Sequence, residues 1–150
     1  MKKHILLIIT IIIISFIFIH SSMSATESTV QSDAAYGTLD GVLSFFNLPN
    51  LFNAITIRKA AHFIEFAVLG FFLSATVFAY CNKLKGEIFK ILFLLLAVPV
   101  TDEFIQYFSP GRSAQISDVL LDFSGGVFGF LCLAGFIFIF TKLKNKKEKS

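Results

Sequence analysis

Four long apolar segments, separated by shorter polar ones, set the pattern of this chain. They cover about residues 5–23, 60–80, 88–108 and 119–140. Each approaches the roughly 20 residues that a helix needs to cross about 30 Å of hydrocarbon. The loop 81–87, between the second and third segments, is so short that these two helices must be antiparallel neighbours. The pattern predicts an all-α integral membrane bundle of about four transmembrane helices, formed by residues 1–150 as a single domain.

The first apolar segment is compatible with either a cleaved signal peptide or a retained transmembrane helix. It follows Met1-Lys2-Lys3-His4, a basic flank that precedes both signal peptides and first transmembrane helices. Ser22-Met23-Ser24-Ala25 offers small residues that a signal peptidase accepts. We favour a retained helix, and cleavage that leaves a mature chain beginning near Ala25 stays open. Either fate places Ser24 and the residues after it outside the cytoplasm.

The stretch 24–57 is predicted to be an external loop. It contains Glu27, Asp33 and Asp40 but no Lys or Arg. Its front half is rich in Ser, Thr and Ala, which indicates a solvated loop. Its back half, residues 39–52, mixes Leu, Phe, Gly and Asn around Pro49, which is typical of an interfacial segment or a short helix.

The basic residues predict the orientation of the bundle. Ten of the 13 fall on one side of the predicted spans, at Lys2, Lys3, Lys83, Lys85, Lys90, Lys142, Lys144, Lys146, Lys147 and Lys149. Because Lys and Arg in short loops remain cytoplasmic, both termini and the basic tail 141–150 are expected in the cytoplasm. Eight of the ten acids lie on or near the other side. The three basic exceptions are Arg58, Lys59 and Arg112.

Composition supports a multi-pass protein of the cell membrane. Hydrophobic residues make up 55% of the chain and charged residues only 15%, with 20 Phe and no Trp. The net charge of +3 follows from the topology, so we expect membrane lipid and no nucleic acid as a partner. Cys81 and Cys132 occupy separate apolar segments and have no metal-ligand spacing.

Polar residues interrupt the last three helices at one depth, just below the outer surface. Within each helix they are three, four or seven residues apart and therefore share a face. Small residues at Gly125 and Gly129 continue one of these faces with a spacing that permits close helix packing. The candidate outer-leaflet polar site consists of Arg58, His62, Glu65, Asp102, Glu103, Gln106, Arg112, Asp118 and Asp122.

These side chains have both structural and functional interpretations. Lys59 suits an interfacial anchor, and Asp118 or Ser117 suits a helix cap. An ionisable group in hydrocarbon costs several kcal/mol, however, and usually marks a site. Acids beside His62 suit general acid–base chemistry or a divalent cation, whereas Arg58 and Arg112 suit a phosphate or carboxylate. No cofactor is predicted, a divalent cation stays open, and no motif defines a reaction.

Three motifs give the chain a family resemblance. They are RKxxHFxEFxxLG from Arg58, DExxQxFxPGR from Asp102 and DVxxDxxG from Asp118. In this order they resemble the signature of the VanZ-like family, named for a teicoplanin resistance protein, over roughly residues 5–140. Family members often have His at the position of Ile105 and commonly Asn at that of Asp122. The resemblance implies a small multipass membrane protein linked to glycopeptide susceptibility or to the cell envelope, without a settled reaction.

Three classes of function are compatible with this sequence. We favour a binding protein whose outer-leaflet site, facing the extracytoplasmic side, meets a lipid headgroup, a cell-wall precursor or a glycopeptide-related ligand. The alternative is a membrane-embedded enzyme that acts on a phosphorylated lipid or cell-wall precursor, although the lack of a reaction motif favours a non-enzyme. A proton-coupled transporter is less favoured, because the inner halves of the spans contain almost no charged group.

Overall fold

The computed structural model describes residues 2–46 and 53–147, and its regular elements in these ranges are all α-helices. They are α1 (Lys2–Ser21), α2 (Ala25–Phe45), α3 (Ala54–Cys81), α4 (Ile88–Phe108) and α5 (Ile116–Lys147). The predicted all-α class is therefore confirmed. Residues 47–52 of the predicted external loop lie outside the described residues, and its last residues, from Ala54, belong to α3.

Three of the described helices, α1, α3 and α5, are long and apolar enough to cross a membrane. At 1.5 Å per residue, the 28 residues of α3 and the 32 of α5 exceed the thickness of the hydrocarbon core. Both helices are longer than the predicted spans, and α5 includes residues 141–147 of the predicted basic tail. The helix α4 has 21 residues and contains Lys90, Asp102 and Glu103. That α4 crosses the membrane is still a prediction, and so is the total of four spans.

The front half of the predicted external loop forms the helix α2, so the prediction of a solvated loop there was wrong. The reason is a capping box at its start. The amide of Glu27 donates to the Ser24 hydroxyl at 3.3 Å, and the Ser24 amide donates to the Glu27 carboxylate at 2.9 Å. The Ser24 hydroxyl and amide also lower the pKa of Glu27. The Ser, Thr and Ala composition indicated a loop, although Ser24 and Glu27 have the spacing of a capping box.

Contacts between helices define their directions. His4 near the start of α1 lies 3.1 Å from the hydroxyl of Tyr80 near the end of α3, measured from the ring Nδ1. Thr10 and Thr76 then share a hydrogen bond of 2.9 Å between their hydroxyls. The helix α1 is therefore antiparallel to α3. Its end at Ser21 contacts the end of α4, so α1 and α4 run in the same direction.

The apolar core lies between α1, α3 and α4. Its buried members include Ile17 from α1, Phe66 and Leu69 from α3, and Ile91 and Leu95 from α4. Many other large apolar side chains in the described ranges face outward. This arrangement suits a bundle whose outer surface contacts lipid, because apolar side chains are stable there without burial in protein.

Glycines bring α3 and α5 into backbone contact. A Cβ added at Gly125 would overlap the Phe63 carbonyl oxygen, and one at Gly129 would overlap that of Ala67. The packing role predicted from their spacing is thus the role that the structure gives them. Close contact also aligns the polar first turns of these two parallel helices, which builds one side of the candidate site.

Candidate functional site

The polar ends of four helices meet at one end of the bundle. These are the C-terminal ends of α1 and α4 and the N-terminal parts of α3 and α5. Their antiparallel and parallel arrangement brings together residues that are up to about 100 positions apart in the chain. We call this set the polar cluster, and it comprises His20, Ser21, Arg58, Lys59, His62, Glu65, Asp102, Glu103, Gln106, Arg112, Asp118 and Asp122.

Asp102 is the most enclosed acid of the polar cluster, with none of its surface exposed. The Ser21 hydroxyl donates to its Oδ1, and the Gln106 side-chain amide donates to its Oδ2 at 2.8 Å. Both carboxylate oxygens thus have a donor, one from α1 and one from the next turn of α4. These two bonds fix the orientation of the carboxylate, and the bond from Ser21 connects α1 to α4.

His62 and Asp122 form a second buried contact, between α3 and α5. The distance from Nδ1 of His62 to Oδ2 of Asp122 is 3.8 Å, and only 12% and 3% of the two side chains are exposed. The other oxygen of Asp122, Oδ1, is buried and has no hydrogen-bond partner among the described residues. A buried acceptor without a donor is costly, so this oxygen is available to a group from outside the chain.

A small cavity of about 20 Å³ lies beside this pair. It has room for about one water molecule or one ion. One part of its wall is basic and another acidic, so its occupant meets opposite charges. The lining residues are Arg58, Lys59, His62, Gln106, Asp118, Leu121 and Asp122.

The two arginines of the polar cluster differ from its lysine in ion pairing. Lys59 pairs with Asp118 at 3.1 Å, which adds an ion pair to the predicted anchoring role. Arg112 instead donates Nη1 to the Ser21 carbonyl at 3.4 Å, and its Nε and Nη2 are buried without partners. Within residues 2–46 and 53–147, neither Arg58 nor Arg112 forms an ion pair. Burial, and then the positive charge of Arg58, lowers the pKa of Arg112.

The remaining two acids lie at the margins of the cluster. Glu65 contacts His20, with 3.6 Å between its Oε1 and the ring Nδ1. Glu103 accepts a hydrogen bond of 2.6 Å from the Gln115 amide and lines an apolar groove between α4 and α5. Each retains one buried carboxylate oxygen without a partner. Glu103 is therefore adjacent to the cluster's centre but is not part of its small cavity.

Sequence reasoning missed the contribution of α1. His20 stacks on His62 with 6.1 Å between ring centroids, and Ser21 bonds to both Asp102 and the turn after α4. A signal was present, since His20 and Ser21 end an apolar run at the depth of the other polar residues. The prediction counted His20 and Ser21 only as part of the first apolar segment, about residues 5–23. Gln115 was missed because its contribution is a backbone amide.

A second groove, between α2 and α3, leads to the same histidines. It encloses about 180 Å³. The start of α2 is attached beside it, because the Ala25 amide donates to the Pro110 carbonyl at 3.0 Å. Gly111 follows in the turn after α4 with a φ of 76°, which glycine adopts without strain. The α2–α3 groove is lined by His20, Ser28, Gln31, Ser32, Ala35, Ile57, Arg58, Ala61 and His62.

Comparison with known proteins assigns the family. No curated protein and no solved structure gives a significant match. The VanZ/LLP1 family model, in contrast, matches residues 6–140, which is most of the chain and includes all three polar motifs. The chain therefore belongs to the VanZ/LLP1 family, as its motifs predicted.

Proposed function

We propose that this protein binds the phosphate group of an amphiphile at the polar cluster, on the extracytoplasmic side of the cell membrane. The amphiphile is a membrane lipid or a lipid-linked cell-wall precursor, which share a phosphate attached to a long apolar chain. Binding at this position would connect the protein to glycopeptide susceptibility, including teicoplanin, through the handling of envelope components.

The two unpaired guanidinium groups support this proposal most strongly. Arg58 and Arg112 lie in a cluster that contains five carboxylates, yet neither forms an ion pair in the described ranges. The buried Nε and Nη2 of Arg112 have no acceptor in the part of the chain that the structure describes. A guanidinium matches two phosphate oxygens with parallel hydrogen bonds, so a phosphate would satisfy these donors.

The shape of the site limits where the phosphate is held. The small cavity of about 20 Å³ is too small for a phosphate, which is larger than one water. The α2–α3 groove of about 180 Å³ has room for one and shares Arg58 and His62 with the cavity. Its apolar lining by Ile57 and Ala61 suits the first part of the lipid chain.

A membrane-embedded phosphohydrolase is the second candidate function. The observation in its favour is the buried pair of His62 and Asp122, which borders a cavity with room for one water. An imidazole and a carboxylate in contact are suited to proton transfer to and from such a water. In this account Arg58 would hold the phosphate in the same groove.

Direct binding separates phosphate recognition from recognition of the lipid chain. We would measure binding of a polyprenyl phosphate, the matched polyprenol and a phosphatidate to the purified protein by native mass spectrometry. We expect both phosphates to bind and the polyprenol to bind at least about tenfold more weakly, since hydrogen bonds to charged groups contribute about 1.5–3 kcal/mol. The ratio of the two phosphates distinguishes a precursor from a bulk lipid.

Variants assign the binding to the cluster. Arg58→Gln and Arg112→Gln should each weaken phosphate binding about tenfold or more, whereas Lys142→Gln, at an exposed position distant in the chain, should not. Equal binding of polyprenyl phosphate and polyprenol, or unchanged binding in both arginine variants, would contradict the proposal. Release of inorganic phosphate by the parent protein, with loss in His62→Gln, would instead identify the phosphohydrolase.

A further inference from the structure

Three side chains from three helices point their ligating atoms at one place. His62 of α3, Asp102 of α4 and Asp122 of α5 each offer one such atom, and these atoms lie within 4.8 Å of one another. Asp102 and Asp122 are buried, and only 12% of the His62 side chain is exposed. Small side-chain rotations would bring the atoms to the spacing required by metal–ligand distances of about 2.0–2.2 Å.

An independent observation indicates that a ligand is missing from this group. Asp122 is 2% exposed, and its Oδ1 has no hydrogen-bond partner among the described residues. Asp122 and His62 both line the small cavity of about 20 Å³, whose volume suits one ion or one water. A cation in this position would be bound by the orphan oxygen and offset the cost of burying it.

The surroundings of Asp102 resemble the supporting hydrogen bonds of metal ligands. The Ser21 hydroxyl and the Gln106 side-chain amide each donate to one of its oxygens. Each carboxylate oxygen has two lone pairs, so both oxygens retain a position for a metal. Donors of this kind orient metal-binding carboxylates, and their loss typically weakens metal binding about 10–100-fold.

We propose that His62, Asp102 and Asp122 bind one divalent transition-metal ion, with Zn²⁺ preferred and Mn²⁺ as the next candidate. An imidazole favours Zn²⁺ over Mg²⁺ or Ca²⁺, which prefer all-oxygen ligands. Three protein ligands leave a fourth position at the cavity, which is the arrangement that keeps one site open for water or another ligand. A positive ion also offsets the excess of acids over bases in the cluster.

Metal binding is measurable on the protein alone. The full chain, purified without a polyhistidine tag and stripped with a chelator, would be titrated with Zn²⁺, Mn²⁺ and Mg²⁺ separately by calorimetry. We expect one Zn²⁺ per chain, bound more tightly than Mn²⁺ and at least about tenfold more tightly than Mg²⁺. Because no phosphate ligand is present, this result does not depend on the proposed function. Absence of a stoichiometric site for either transition metal would overturn the proposal.

Matched variants assign the site. Asp122→Asn and His62→Gln should weaken Zn²⁺ binding at least about 100-fold, and Ser21→Ala about tenfold. The controls are His4→Gln, an exposed histidine near the start of α1, and Asp33→Asn, an exposed acid of α2 outside the polar cluster. Both should bind Zn²⁺ as the parent does. Parent-like binding in folded Asp122→Asn and His62→Gln would exclude this site.

A measurement on the parent protein covers the case in which a variant fails to fold. X-ray absorption at the zinc edge should show oxygen and nitrogen ligands, including the scattering of one imidazole, and no sulfur. A sulfur ligand would place the ion at Cys81 or Cys132 and overturn the proposal. Scattering from two or more imidazoles would also contradict it, because only His62 belongs to the three-residue group.

Discussion

Ser21 is the residue that most directly connects α1 to the polar cluster. Its hydroxyl donates to Asp102, its carbonyl accepts from Ser109 and Arg112, and it is 1% exposed. The adjacent Ser22 is exposed, and among the contacts described its hydroxyl donates only to the Phe18 carbonyl of α1. Two neighbouring serines of equal size therefore differ in environment, which makes them a matched pair for mutation.

We predict that Ser21→Ala lowers the free energy of unfolding by about 1–3 kcal/mol, because it leaves a buried carboxylate oxygen of Asp102 without its donor. Ser22→Ala should change it by less than about 0.5 kcal/mol. Thermal unfolding of the purified protein in one detergent, followed by circular dichroism, measures both. Equal stability losses in the two variants would show that the bond to Asp102 contributes nothing specific.

Gly129 tests the close contact of α3 with α5. A Cβ at this position would overlap the Ala67 carbonyl, whereas one at Gly135 on the same helix would meet nothing within 4 Å. Gly129→Ala should therefore destabilise the bundle by about 1–3 kcal/mol or more through overpacking. Gly135→Ala should be neutral or stabilising, by up to about 1 kcal/mol, since Ala favours helix. The same unfolding assay compares them, and an equally stable Gly129→Ala would contradict the described packing.

At the scale of elements, sequence reasoning succeeded where hydrophobicity determines the structure. The apolar runs located α1, α3, α4 and α5, because a helix is the structure that satisfies backbone polar groups within lipid. Reasoning failed for α2, where no apolar run exists and only the pair Ser24 and Glu27 marks a helix start. The predicted lengths of α3 and α5 were also too short, since polar ends such as residues 141–147 continue the helix past the apolar run.

The orientation of these elements is still a prediction, and single cysteines test it. In a chain with Cys81 and Cys132 replaced by Ser, Asp33→Cys in α2 should react with a membrane-impermeant maleimide in intact cells. Lys85→Cys, in the loop between α3 and α4, should react only after the membrane is permeabilised. A third variant, Lys142→Cys, lies on the predicted cytoplasmic side. All three positions are exposed on the protein surface. Labelling of Lys142→Cys in intact cells would contradict a cytoplasmic C-terminus.

At the scale of the whole molecule, helical spacing and common depth predicted which residues of α3, α4 and α5 to consider together. They did not predict how the helices are rotated. Glu103 therefore lines the groove between α4 and α5, whereas its neighbour Asp102 is buried in the polar cluster, and His20 joins the cluster from a helix that has no motif. Rotation and partner choice depend on packing between helices, such as the glycine contacts of α5, which a single sequence does not specify.

We propose that the polar cluster carries the envelope function of the protein. Its acids and arginines are retained where apolar residues would form an equally stable bundle, and a conservative change at one of them removes charge or the planar guanidinium while preserving size. The test variants are Glu65→Gln, Asp102→Asn and Arg112→Lys. Asp33→Asn, at an exposed position of α2, is the matched control.

The most direct measurement is the teicoplanin tolerance of a susceptible Gram-positive host that expresses each form, with the amount of protein in the membrane determined in the same cells. We predict that the parent and Asp33→Asn raise tolerance, and that the three cluster variants accumulate to parental levels without raising it. Cluster variants that accumulate normally and raise tolerance as the parent does would contradict the account.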